Sequence, residues 1–122
     1  MGPSEVVAAY GAAWLETDEA KRRELLGQAW SEEGTYLDPT GRADGREGLV
    51  QHIAGFHAMF PGHRIDIASG VDEHDNYIRF AWKMIGPDEA QVMEGVDFGS
   101  LDADGKISSI VGFFGPWPEV AR

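Results

Sequence analysis

Val7, Tyr10 and Trp14 fall on one face at i, i+3 and i+7 behind Pro3-Ser4-Glu5, a pattern that predicts a first helix with an acidic first turn. Thr17-Asp18 breaks it and offers an N-cap for a second, shorter helix over Glu19–Trp30, with Leu26, Ala29 and Trp30 as its apolar side. Gly34–Leu37 reads as a short strand, ended by the turn Asp38-Pro39-Thr40-Gly41. Asp44 and Glu47 have capping-box spacing, and Leu49, Ile53, Phe56 and Phe60 then repeat at helical intervals until Pro61-Gly62.

Beyond residue 62 the period changes from helical to alternating. Ile65 and Ile67 alternate with Asp66 and Ala68, and Glu73-His74-Asp75-Asn76 reads as a hairpin turn. Ile78, Phe80, Trp82 and Met84 share one phase of the next strand. Gly86–Glu89 is a turn, Val92–Leu101 a long strand, Asp104-Gly105 a tight turn, and Ile107–Phe114 the last strand. Helices followed by a meander of strands predict an α+β fold with the helices on one face of the sheet. No repeat or linker interrupts residues 1–122, so one domain is expected.

Composition narrows the partners. With a net charge of −11 the chain is a poor match for phosphate backbones or anionic lipid, so neither nucleic acid nor membrane is expected as a partner. The absence of cysteine removes thiolate chemistry. The N-terminus lacks the basic and apolar regions of a signal peptide, and a cytoplasmic location is expected. The four histidines show no metal-ligand spacing, so no metal or other cofactor is expected.

Three polar residues stand out to different degrees. Asp97 lies in mid-strand, where aspartate is depleted, and its same-face neighbours Met93, Gly95, Gly99 and Leu101 are apolar or tiny. Facing inward, it would sit in an apolar wall with a raised pKa, and the two glycines would mark a bend or a place kept open for a ligand. Tyr10, on the buried face of helix 1, is by itself a core tyrosine whose hydroxyl needs a partner. Asp38 is by itself accounted for as an Asx-turn.

The helix order, the Asp38-Pro39-Thr40-Gly41 turn, Gly45-Arg46-Glu47 at the start of helix 3, and Asp97 followed by Asp102-x-Asp-Gly-Lys-Ile107 resemble the SnoaL-like and NTF2-like superfamily. Within it the steroid Δ5-3-ketoisomerases are most similar. That resemblance implies a cone, in which three N-terminal helices close a strongly curved antiparallel or mixed sheet around a pocket. It also implies three catalytic positions. Tyr10 stands eight residues before the helix break at Asp18, Asp38 directly before Pro-x-Gly, and Asp97 ten before Ile107. Phe80, Trp82, Met84, Ile110, Gly112 and Phe114 match pocket-lining phases, and Trp14, Phe56 and Phe60 join them from the helices. The places that hold supporting tyrosines in the isomerases hold Trp30 and Ile53, which are expected on the substrate wall as well.

By that resemblance, Asp38 would move a proton from the α to the γ carbon of an unsaturated ketone. Its pKa would be slightly raised, and Tyr10 and a protonated Asp97 would stabilise the enolate oxygen. The implied ligand is a small apolar molecule with one carbonyl, and the implied assembly a homodimer. The same scaffold supports polyketide cyclases, dehydratases, epoxide hydrolases and non-catalytic binding or dimerisation modules. A histidine beside Asp38 would favour the other enzymes, and Arg79 facing inward would favour epoxide hydrolysis.

Overall fold

The computed structural model describes residues 1–121. Helix α1 (Pro3–Leu15) leads to α2 (Glu19–Ala29), whose N-cap Asp18 accepts hydrogen bonds from the Ala20 and Lys21 amides at 2.9 and 3.3 Å. Strands β1 (Trp30–Asp38) and β2 (Gly41–Asp44) follow, then α3 (Gly45–Met59), and then β3 (Arg64–Ile67), β4 (Asp72–His74), β5 (Tyr77–Ile85), β6 (Gln91–Leu101) and β7 (Ile107–Phe114). The sheet runs β2-β1-β7-β6-β5-β3, with β4 also on β5. It is mixed, because β1 pairs with β7 in parallel while the other pairings are antiparallel. Three helices on a curled mixed sheet make the α+β cone that the sequence implied.

Alternation on β5 buries Ile78, Phe80, Trp82 and Met84, and on β7 Ile107, Ile110 and Gly112. Against this inner face lie Val6, Val7, Tyr10 and Ala13 of α1, Leu26 of α2, and Leu49, Val50 and Ile53 of α3. Tyr10 is the aromatic hub: it stacks on Trp30 (centroids 5.6 Å, 18°) and meets Phe80 edge-on at 6.2 Å. Such pairs contribute about 0.5–1.5 kcal/mol each beyond area burial.

Four local expectations change. Trp30 opens β1 instead of closing α2, and β1 is nine residues long because it pairs on both sides, with β2 and with β7. Strand β2 was not legible, since four residues show too little alternation. The capping box at Asp44 does not form: its carboxylate pairs with Arg42 at 3.0 Å, while Glu47 pairs with Arg23 at 2.7 Å. The β4–β5 hairpin turns on Asp75-Asn76, both at positive φ, so Glu73 and His74 belong to the strand.

Arg22 joins the three helices. It is 2 % exposed, and Nε and Nη2 donate to the Glu16 carbonyl at 3.1 and 2.7 Å, while Nη1 donates to the Val50 carbonyl at 3.3 Å. These bonds take up carbonyls at the C-terminal end of α1 and inside α3, and no carboxylate pairs with Arg22 among the described residues. At the opposite corner Arg46 donates twice to the Trp30 carbonyl, at 3.0 and 2.6 Å, fixing the start of α3 to the start of β1. Hydrogen bonds from a buried charged donor are worth about 1.5–3 kcal/mol. Arg22→Leu is therefore expected to lower unfolding stability by roughly 2–3 kcal/mol in urea titrations, whereas the exposed Arg42→Leu stays within about 0.5 kcal/mol.

Candidate active site

A cavity of about 360 Å³ opens between the helices and the inner sheet face. Its apolar wall includes Trp14, Phe56, Phe60, Trp82, Met84 and Phe114, and its polar lining Tyr10, Tyr36, Asp38, Thr40, His52 and Asp97. Among the described residues no lysine or arginine lines it. The three residues implied as catalytic, Tyr10, Asp38 and Asp97, thus share one cavity.

Strand register accounts for the meeting of two aspartates. Leu37 pairs with Val111 across β1–β7, which sets Asp38 beside Gly112, and Gly112 pairs with Asp97 across β7–β6. A side-chain carbon on Gly112 would stand 3.0 Å from Asp97 Oδ1 and 3.4 Å from Asp38 Cβ. Glycine thereby leaves the gap between the carboxyls open. Gly95 and Gly99 have another role: a side chain there would overlap the Phe113 carbonyl and the Trp82 ring, or the Ser109 carbonyl. They permit close strand approach and do not hold space for a ligand.

The carboxyls differ in environment. Asp97 is 7 % exposed, and the Trp82 indole is the side chain placed to donate to its carboxyl. Burial pushes its pKa up to about 7; the adjacent Trp82 indole opposes this, and the charge of Asp38 adds to it. Asp38 is also shielded, but it is the terminus of four hydrogen bonds. Oδ1 accepts from the Thr40 amide and hydroxyl, both at 2.7 Å, and from the Gly41 amide at 3.1 Å. Oδ2 accepts from the Tyr36 hydroxyl at 2.7 Å. Burial works to raise its pKa, yet these bonds, with His52 nearby, outweigh it and hold the carboxyl below its usual value. The slight rise expected from the sequence is therefore reversed. The Asx-turn forms, and the same carboxyl faces the cavity.

Tyr10 is 2 % exposed, and its hydroxyl has no hydrogen-bond partner among the described residues; neither does the Trp14 indole N–H. Burial, then the charges of Asp97 and Asp38, raise the Tyr10 pKa well above its ordinary value, so the hydroxyl stays protonated. An unpaired buried donor costs about 1–3 kcal/mol, which a bound acceptor would relieve.

The expected substrate wall is only partly assembled. Trp14, Phe56, Phe60, Trp82, Met84 and Phe114 line the cavity. Trp30, Ile53, Phe80 and Ile110 do not: they lie in the packed core, with Trp30 and Phe80 against Tyr10. Phe80 and Ile110 do lie on the inner face, but the helices cover that part of it, and Trp30 and Ile53 pack beneath the same cover. Tyr36 and His52 were missed as site residues. Tyr36 could have been found from its spacing, two residues before Asp38 and so on the same strand face. His52 Nε2 stands 4.0 Å from Asp38 Oδ2, while His57 donates to the Trp14 carbonyl at 2.8 Å. Arg79 points outward and pairs with Asp72 at 2.8 Å.

A family model described as the SnoaL-like domain matches residues 7–110. The chain belongs to the SnoaL-like family. A candidate isomerase of that family from Agrobacterium tumefaciens str. C58 is 39% identical to this SnoaL-like protein, with 92% of this chain and 96% of that one covered and a TM-score of 0.86. A candidate SnoaL-like polyketide cyclase from Jannaschia sp. CCS1 is 14% identical over 92% and 84% of the chains, TM-score 0.72. An uncharacterised cystatin-fold protein from Novosphingobium aromaticivorans is 18% identical over 92% and 97%, TM-score 0.69. The last two likenesses show the fold alone. No curated protein matches. Among the described residues of the SnoaL-like protein no helix is long and apolar enough to cross a membrane.

The raised pKa of Asp97 has a sign for stability. The folded state holds this proton more tightly than the unfolded chain, so the contribution is complete below the unfolded value near pH 4. It is lost as pH rises through about 7. Asp97→Asn is expected to be more stable than the parent at pH 8, by roughly 2–4 kcal/mol, with the difference vanishing below pH 4. Urea titrations of both proteins across that range measure it.

Proposed function

We propose that this SnoaL-like protein is a proton-transfer enzyme acting on a small, neutral, apolar ketone, with double-bond isomerisation as its reaction. The observation that carries the reading is the meeting of an ionised carboxylate, a buried tyrosine hydroxyl and a second carboxyl that burial keeps partly protonated, all in a single apolar cavity. Asp38 is anionic at neutral pH and would accept the α-proton; the C–H bond breaks, an Asp38 O–H bond forms, and the electron pair moves towards the ketone oxygen. Tyr10 and the protonated fraction of Asp97 would donate hydrogen bonds to that oxygen as charge develops. Asp38 would then return the proton at the γ carbon, so no co-reactant is needed. The absence of a lining cation and the presence of two acids disfavour a carboxylate or phosphate on the ligand. The volume falls at the lower end of the roughly 300–1,000 Å³ typical of ligand pockets. The 39% identity to a candidate isomerase agrees with this reading.

One observation favours a second reading. His52 beside Asp38 gives the site a second proton-accepting group, since burial lowers its pKa and the charge of Asp38 only partly restores it. An aspartate with a neutral imidazole suits ring closure by carbon–carbon bond formation, as in a polyketide cyclase. Epoxide hydrolysis loses support because Arg79 lies on the outer face.

We also propose a homodimer formed through the outer sheet face, where Phe98 and Phe113 are about half exposed. Phe113→Asp is expected to halve the mass measured by sedimentation equilibrium; an unchanged mass would speak against this face.

Formation of the conjugated enone from 5-androstene-3,17-dione, followed by absorbance, tests the isomerase reading. Asp38→Asn should lower kcat about 10²–10⁴-fold, and Asp97→Ala should lower it less. An inactive parent protein, or an Asp38→Asn variant as active as the parent, would overturn it. If His52→Gln alone abolishes turnover of a cyclisable polyketide while the enone assay stays silent, the second reading prevails.

A further inference from the structure

Proton abstraction needs one particular oxygen of Asp38, and the two oxygens are not equivalent. Oδ1 is saturated by the three donors of the Thr40 turn. Oδ2 has a single hydrogen-bond donor, the Tyr36 hydroxyl at 2.7 Å, with His52 Nε2 at 4.0 Å. Bonds at both ends stop the carboxyl from rotating about its Cβ–Cγ bond. Tyr36 is itself immobilised: it is 7 % exposed, its ring centroid lies 4.9 Å from that of His52 and 5.7 Å from that of Trp14, and it pairs through its backbone with Ala43 and Ile110.

We propose that Tyr36 is a positioning residue whose hydroxyl presents Oδ2 of Asp38 as the proton-accepting atom and holds that oxygen as a weak, readily ionised base. The inference rests on the reading of Asp38 as the base and adds a residue that no position in the implied catalytic set contains. Tyr36 does not exchange a proton in the reaction. Burial first, then Tyr10, Asp38 and Asp97, push its pKa far up, so it remains a donor throughout. Four elements bring titratable groups to Asp38: α1 with Tyr10, β1 with Tyr36, α3 with His52 and β6 with Asp97. Tyr10 and Asp97 are both protonated over the range in which Asp38 titrates, and burial opposes its ionisation. The Tyr36 hydroxyl, the Thr40 turn and protonated His52 favour it, so loss of the Tyr36 donor must move Asp38 upward.

The test is a carbon-13 NMR titration of Asp38 Cγ in aspartate-labelled protein, run beside the pH profile of kcat/KM for enone formation. In Tyr36→Phe the Asp38 midpoint should rise by about one pH unit, and the acidic limb of the profile should rise with it. At the plateau kcat should fall while KM stays nearly constant, because the phenyl ring preserves the cavity wall. Tyr77→Phe, on the outer strand surface, should change neither measurement. Should Tyr36→Phe fail to fold, uniform 3-fluorotyrosine labelling strengthens the donor and must move the Asp38 midpoint down. An unmoved midpoint in Tyr36→Phe or in the fluorinated protein, or an equal movement in Tyr77→Phe, overturns the assignment. The titration is read without turnover. A protein that never isomerises a ketone but shows the shift therefore sinks the isomerase reading and keeps Tyr36 as the residue that orients Asp38.

Discussion

The site depends on the register of one parallel strand pair. β1 is laid against β7 so that Tyr36 meets Ile110 and Leu37 meets Val111, and β7 is laid antiparallel against β6 so that Gly112 meets Asp97. Across these three strands run Asp38, Gly112 and Asp97, all turned inward. A slip of one residue in β1 would turn Asp38 to the outer face and separate the carboxyls. Hydrophobic burial forbids the slip, because the same step would expose Tyr36 and bury Leu37, which is half exposed on the outer side. Core packing and active-site geometry are in that sense one constraint. The stack of Tyr10 on Trp30 reinforces it from the helical side by pinning α1 to the first residue of β1.

Two carboxyls in one cavity are shifted in opposite directions by what touches them. Asp38 ends a strand, where a turn naturally exposes amide donors, so its charge is solvated by the chain itself. Asp97 lies in the middle of a strand, where the backbone amides are committed to the ladder and the Trp82 indole only partly offsets burial. The contrast follows from position along the strand more than from depth, and it separates the roles of acid and base.

Much of this was legible in the sequence. The change from a helical period to alternation after residue 62 gave the α+β order, and the phase of β5 told which residues point inward. Asp97 was conspicuous because Met93, Gly95, Gly99 and Leu101 give an acid in their strand phase no polar surface to share. Tyr10 and Asp38 were not conspicuous, since a buried tyrosine and an Asp-Pro turn have ordinary uses, and they stood out only by family resemblance. Phe80 and Ile110 fall in the core because strand phase identifies the inner face and not which part of it a helix covers, and Trp30 and Ile53, expected on the wall by family resemblance, are buried under the same helices. Tyr36 shares a strand face with Asp38 by simple i, i+2 spacing, whereas His52 became visible only when the parallel pairing of β1, which no local pattern encodes, set the turn at Asp38 beneath α3.

Arg22 bears on how a molecule could reach the cavity. Its three bonds make the C-terminal end of α1, the start of α2 and the middle of α3 into one plate, and lifting any one helix would strip a buried cation of its acceptors. Beyond this clamp, α3 runs on to Met59 and Phe60, two exposed apolar side chains on the cavity rim before the Pro61-Gly62 turn. The exposed apolar part of the roof is thus its far edge. Entry there passes over thioether and phenyl surface before any charge is met, so a guest would shed its water before it encounters the acids.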